Sequence, residues 1–127
     1  MSTYNVLVVE DGATDQLVLS KQLESLRCRV TTVESAEAAL NVWNSSDSFD
    51  LLLVDWNLPG MNGLSFVERI KGDSSKTTPR IVMITGETSM EKINEAIMIG
   101  VDEYIMKPVI TETFREKLQL IGVEFSK

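Results

Sequence analysis

Short apolar runs alternate along this chain with stretches whose apolar residues recur at helical spacing. Tyr4 to Val9 (YNVLVV) is apolar and β-branched and predicts a first strand, ending in Glu10-Asp11. Gly12 to Asp15 reads as a loop and helix start, after which Leu17, Leu19, Leu23 and Leu26 recur at roughly helical spacing, giving helix one. Arg29 to Val33 alternates in character, as expected of a second strand nearer an edge. Ser35 is placed to cap helix two, with Glu37 in the favourable first turn and Ala36, Ala39, Leu40 and Trp43 facing inward. Ser45 to Ser48 is a polar break. Leu51 to Val54 is then an unbroken apolar run, the pattern of a strand covered on both faces in a parallel sheet.

Helix three is expected over about Leu64 to Lys71, with Phe66, Val67 and Ile70 as its apolar stripe. Past the polar loop Gly72 to Pro79, strand four runs from Arg80 to Ile84 and ends in Thr85-Gly86. Helix four spans about Met90 to Ile99, with Ile93, Ala96 and Ile97 on one face and Gly100 at C′. Strand five is Glu103 to Met106, ending in Lys107-Pro108. Helix five covers about Thr111 to Ile121, with Phe114, Leu118 and Ile121 inward and Gly122 closing it. Strand and helix alternate five times with short connections, which implies an α/β domain: a parallel five-stranded sheet, helices on both faces, right-handed crossovers.

Composition narrows the picture. A chain of 127 residues with 43% hydrophobic content suits one soluble domain with one core, and no second domain or repeat is evident. A net charge of −7 without any basic run argues against nucleic acid as a partner. The lone Cys28 cannot form an internal disulfide and reads as a small buried apolar residue. The absence of histidine removes His-based catalysis and His metal ligation. No signal pattern or membrane-length apolar run appears, so no membrane insertion and a cytoplasmic location are expected.

The chemistry concentrates where strands end. In a parallel sheet all strands point one way, so Glu10-Asp11, Asp55, Thr85 and Lys107 share one edge. Each has an ordinary explanation as a cap, a helix-start pair or a charge balance. Asp55, alone, reads first as a loop-capping carboxylate, followed by the turn residues Pro59, Gly60, Asn62 and Gly63. Together they form carboxylates, a hydroxyl and an ammonium at one cleft. Clustered carboxylates repel one another, and a divalent cation removes that cost. Oxygen ligands without His or Cys point to Mg²⁺ or another hard cation, usually completed by phosphate oxygens. Asp55 is then the candidate nucleophile toward phosphorus, with Thr85 and Lys107 stabilising the transferred oxygens.

The ends VVED, LLLVDWNLPGMNG, IVMITGE and DEYIMKP resemble the motifs of the response-regulator receiver domain of two-component signalling, in order and spacing, over nearly the whole chain. The resemblance implies a flavodoxin-like (βα)5 three-layer sandwich of strand order 2-1-3-4-5, filling residues 1–127 with no output domain. It implies that Asp55 accepts a phosphoryl group from a histidine kinase or histidine phosphotransfer domain, the chain catalysing only its own phosphorylation and dephosphorylation. By the same resemblance Asp11, Asp55 and the Asn57 backbone carbonyl hold Mg²⁺, Glu10 acts through water, and Thr85 and Lys107 contact the phosphoryl group. The Lys107–Pro108 bond is cis in that family. Thr85 and Tyr104 are its switch pair, and the helix four, strand five and helix five face binds a downstream output protein; Met98, Ile99 and Met106 fit added apolar surface on that face and core packing equally well.

Within the family, Trp56-Asn57, Glu87 two after Thr85, and KPVITETFREKL look most like single-domain chemotaxis regulators of CheY type, whose output is the flagellar motor switch. Asn57 and Glu87 occupy positions that tune loss of the phosphoryl group. Glu10 stands where aspartate is commoner, Gly86 for alanine, Val109 for phenylalanine and Gln16 for arginine. The alternatives are a receiver in a non-chemotaxis phosphorelay and a binding module that works unphosphorylated. A flavodoxin would need a phosphate-holding loop after strand one, where Glu10-Asp11 would repel it. An aspartyl-phosphate phosphatase would carry a second Asp where Asn57 stands.

Overall fold

The computed structural model describes residues 4–26, 28–45, 48–86 and 89–122. Its elements follow the expected alternation: β1 (Asn5–Val9), α1 (Ala13–Ser25), β2 (Arg29–Val33), α2 (Ala36–Ser45), β3 (Leu51–Val54), α3 (Gly63–Lys71), β4 (Arg80–Thr85), α4 (Met90–Ile99), β5 (Glu103–Met106) and α5 (Thr111–Leu120). The strands pair in parallel in the order β2-β1-β3-β4-β5. This is the flavodoxin-like arrangement the sequence implied. The register aligns Val9 with Val54, Val54 with Met83, and Thr85 with Met106, so the strands finish together.

Alternation along each strand splits the core in two. Val6, Val8, Leu51, Leu53, Val82, Ile84 and Ile105 pack with Leu19 and Leu23 of α1 and Phe114 and Leu118 of α5. Leu7, Val9, Leu52, Val54, Ile81 and Met83 pack with Trp43 of α2, Phe66 and Ile70 of α3 and Ala96 of α4. The all-apolar run of β3 is buried throughout because it lies centrally and both layers cover it. The half-exposed pattern of β2 fits its edge position.

Two helix faces depart from the expectation. Leu17, one of the apolar residues at helical spacing on α1, is 57% exposed, and Ile97, placed on one face of α4 with Ile93 and Ala96, is 60% exposed. On α1 the buried stripe is carried by Leu19 and Leu23, with Leu26 just past its end. On α4 only Ala96 is fully covered, so the stripe passes through Ile93 and Ala96 and leaves Ile97 and Met98 outside. The predicted caps hold: the Ala38 N–H donates to Ser35 Oγ at 3.1 Å, and Gly100 ends α4 in the left-handed region with φ 104°. Cys28 is buried, and burial pushes its thiol up to about 11. Among the described residues no helix is long and apolar enough to cross a membrane.

Candidate functional site

The site is assembled by backbone bonds that prolong the sheet past its last strand residues. The Glu10 N–H donates to Val33 O at 3.0 Å, the Asp55 N–H to Val9 O at 3.0 Å, and the Lys107 N–H to Thr85 O at 3.0 Å. Each strand thus hands over one polar side chain at the carboxyl edge. The loop after β3 then folds back tightly: the Gly63 N–H donates to Trp56 O at 2.9 Å. A Cβ at Gly63 would lie 2.1 Å from the Asp55 carbonyl oxygen, so this close approach requires glycine. Asn62 caps α3 by accepting from the Ser65 N–H at 2.9 Å, which anchors the far end of the same loop.

Lys107 Nζ donates to Glu10 Oε1 at 2.6 Å, Asp55 Oδ2 at 2.9 Å and Asp15 Oδ2 at 2.9 Å. The remaining oxygens of the two buried carboxylates are also engaged. Glu10 Oε2 accepts from the Gly12 N–H at 3.0 Å, and Asp55 Oδ1 from the Asn57 N–H at 3.1 Å. Glu10, Asp11 and Asp55 each offer a carboxylate oxygen, and these oxygens lie within 4.8 Å of one another, with Glu10 and Asp55 buried and Asp11 exposed. Three hard oxygen donors at this spacing, open on the Asp11 side, fit a cation such as Mg²⁺ that keeps part of its water shell.

Electrostatics follow from burial against pairing. Burial holds the Glu10 carboxyl above its ordinary value, and the Asp55 charge adds to that, against the hydrogen bonds from Lys107 and Gly12. Burial works against the Lys107 ammonium, but its hydrogen bonds to Glu10, Asp55 and Asp15 prevail and raise its pKa. Lys107 therefore stays charged throughout the physiological range. Three carboxylates contact the one ammonium and a fourth, Asp11, lies beside Glu10 and Asp55, leaving the cleft net negative and attractive to a cation.

The structure thus brings Glu10, Asp11, Asp55 and Lys107 together. Thr85 is wholly buried as the last residue of β4, beside the Lys107 backbone. Lys107–Pro108 is cis, in agreement with the resemblance. Asn57 is exposed in the loop that follows Asp55. Tyr104 is half-buried on β5, on the α4 side of the sheet. It lines a groove of about 480 Å³ with Ile93 and Ile97 of α4, Ile110, and Thr113 and Lys117 of α5. Met98 and Met106 are exposed near that face, whereas Ile99 packs against the core. Glu87 lies outside the described residues.

Asp15 was not singled out by the sequence. A carboxylate in the first turn of a helix has a ready explanation in the helix dipole, which hid it. Its nearness in the chain to Glu10-Asp11 was the available signal.

Comparison with known proteins agrees with this geometry. The response regulator receiver domain family matches residues 6–119. Chemotaxis protein CheY1 of Helicobacter pylori is 33% identical over 119 residues, covering 91% of this chain and 94% of that protein. The structure of chemotaxis response regulator CheY4 of Vibrio cholerae superposes with a TM-score of 0.86 at 30% identity, covering 94% of this chain and 99% of that one. The receiver domain of sensor histidine kinase PA1611 from Pseudomonas aeruginosa, solved with a magnesium ion coordinated in its active-site cleft, superposes with a TM-score of 0.82 at 26% identity, covering 96% of this chain and 100% of that one. A family match across most of the length, on a sheet of this order with its acidic edge intact, establishes that the chain belongs to the response regulator receiver domain family.

Proposed function

We propose that Asp55 is the phosphoacceptor of a two-component phosphorelay, receiving its phosphoryl group from a histidine kinase or histidine phosphotransfer domain. The observation that carries this reading is the 2.9 Å contact between Lys107 Nζ and Asp55 Oδ2 beside the Glu10, Asp11 and Asp55 carboxylates. An Asp55 oxygen attacks phosphorus, the P–N bond of the donor breaks, and the imidazole leaves with the electron pair. Lys107 then bonds an oxygen of the acyl phosphate, and the Thr85 hydroxyl approaches from the adjacent strand end. Asp11, Asp55 and the Asn57 carbonyl would hold Mg²⁺, with Glu10 acting through water, and the cation would neutralise the carboxylates and the charge on the transferred oxygens. The magnesium-bearing receiver of PA1611 supports this assignment by likeness of fold.

Movement of Thr85 toward the phosphoryl group leaves room for Tyr104 to turn inward, changing the α4, β5 and α5 face that binds an output protein. Asn57 and Glu87 tune the return reaction. The chemotaxis relatives favour a role in chemotaxis, and the family resemblance of the sequence suggests a flagellar motor switch protein as the output partner. The test is incubation with acetyl phosphate and Mg²⁺, followed by intact mass measurement. Wild type gains one phosphoryl group and Asp55→Asn gains none; equal labelling of both refutes the assignment.

A further inference from the structure

An ammonium group has three N–H donors. In this structure Lys107 directs all three at carboxylates: Glu10 Oε1 at 2.6 Å, Asp55 Oδ2 at 2.9 Å and Asp15 Oδ2 at 2.9 Å. A phosphoryl oxygen arriving at Asp55 therefore meets a lysine whose donors are all engaged. One carboxylate must let go.

The three differ in what release costs them. The Glu10 and Asp55 side chains are 3% and 7% exposed, and the second oxygen of each is fixed by a backbone N–H. The Asp15 side chain is 49% exposed and projects from the first turn of α1 at the mouth of the cleft. A carboxylate already in contact with water exchanges an ammonium partner for solvent cheaply, whereas a buried one does not. Asp15 is the partner that leaves.

We propose that Asp15 is a positioning residue for Lys107: it holds the ammonium in the resting cleft and competes with the incoming phosphoryl oxygen for it. This rests on Asp55 being the phosphoacceptor. Asp15 thereby favours the unphosphorylated form and slows its conversion. Phosphorylation in turn frees the Asp15 carboxylate to solvent at the end of α1, since coupling between two binding events is reciprocal.

The measurement is the rate of Asp55 labelling by acetyl phosphate at saturating Mg²⁺, together with the affinity for beryllofluoride as a non-reacting phosphoryl analogue. Asp15→Asn should raise both by about two- to fivefold, the range of an exposed ion pair. The same substitution in a Lys107→Ala background should raise neither. That double-mutant cycle cancels any effect Asp15 exerts through the dipole of α1 or through general repulsion, because those persist without Lys107. A labelling rate in Asp15→Asn unchanged from wild type, or an equal gain in both backgrounds, overturns the competition while leaving the phosphoacceptor intact. Failure of wild type to label at all overturns the parent reading instead.

Discussion

At Gly63 a single hydrogen atom decides whether the loop can close. A methyl group there would sit 2.1 Å from the Asp55 carbonyl oxygen and 3.0 Å from the Trp56 Cα, both backbone atoms that cannot swing aside. Gly63→Ala should therefore cost about 2–3 kcal/mol in urea unfolding, the upper part of the range for overpacking. Because the displaced atom belongs to Asp55 itself, labelling by acetyl phosphate should slow as well; unaltered stability would show that the loop yields. Cys28 gives a second test. Burial raises its thiol to about 11, so at pH 8 native alkylation should run about 100-fold slower than in urea, where the thiolate fraction is restored. Comparable rates in the two conditions would mean that the side chain is accessible. At this scale the sequence was informative where residue type is rare in its setting. A lysine and a carboxylate pair directly after apolar strands have few structural uses, so Lys107, Asp55 and Glu10-Asp11 stood out. Asp15 did not, because an acidic first-turn residue suits any helix.

Among the elements, strands were easier to place than helix faces. The strands of a parallel sheet bury both sides, so an unbroken apolar run such as Leu51 to Val54 needs no phase assignment. A helix buries one stripe, and α4 carries more apolar residues than that stripe accommodates. Met90, Ile93, Ala96, Ile97, Met98 and Ile99 surround much of its circumference, and periodicity alone grouped Ile97 on one face with Ile93 and Ala96. The structure instead puts the contact at Ala96, where a small side chain lets the helix lie close to the sheet layer. Ile97 joins Tyr104 along the groove toward α5. Ile97→Ser is accordingly expected to change unfolding free energy by less than about 0.5 kcal/mol, the usual range for a surface position. A loss of about 2 kcal/mol or more in a urea titration would restore it to the core. The surplus of apolar surface on α4 is intelligible if that face is kept for an output protein.

For the whole molecule, the sheet edge sets stability against charge. Asp55 lies far along the unfolded chain from the adjacent Glu10 and Asp11, and folding crowds the three carboxylates until an oxygen of each is within 4.8 Å of the others. One ammonium offsets only part of that repulsion. A cation that binds the assembled cluster has no comparable site in the unfolded chain, so it must stabilise the fold by mass action. At ten times its dissociation constant the gain is about 1.4 kcal/mol, which for a domain of 127 residues corresponds to a rise in Tm of roughly 3–7 °C. The dissociation constant can be obtained separately from Trp56, which is buried directly after Asp55 with Lys92 Nζ 5.6 Å from its ring centre. Removing one carboxylate separates ligation from repulsion. Asp11→Asn should lose most of the Mg²⁺-dependent rise, yet melt higher than wild type without metal, because one of the crowded charges is gone while the Lys107 contacts to Glu10 and Asp55 remain. The two curves should therefore converge or cross as Mg²⁺ increases. A metal-free Tm below wild type would mean that Asp11 stabilises the fold by contacts of its own. A Mg²⁺ response undiminished in Asp11→Asn would mean that the cation sits elsewhere than on the cluster formed by β1 and β3.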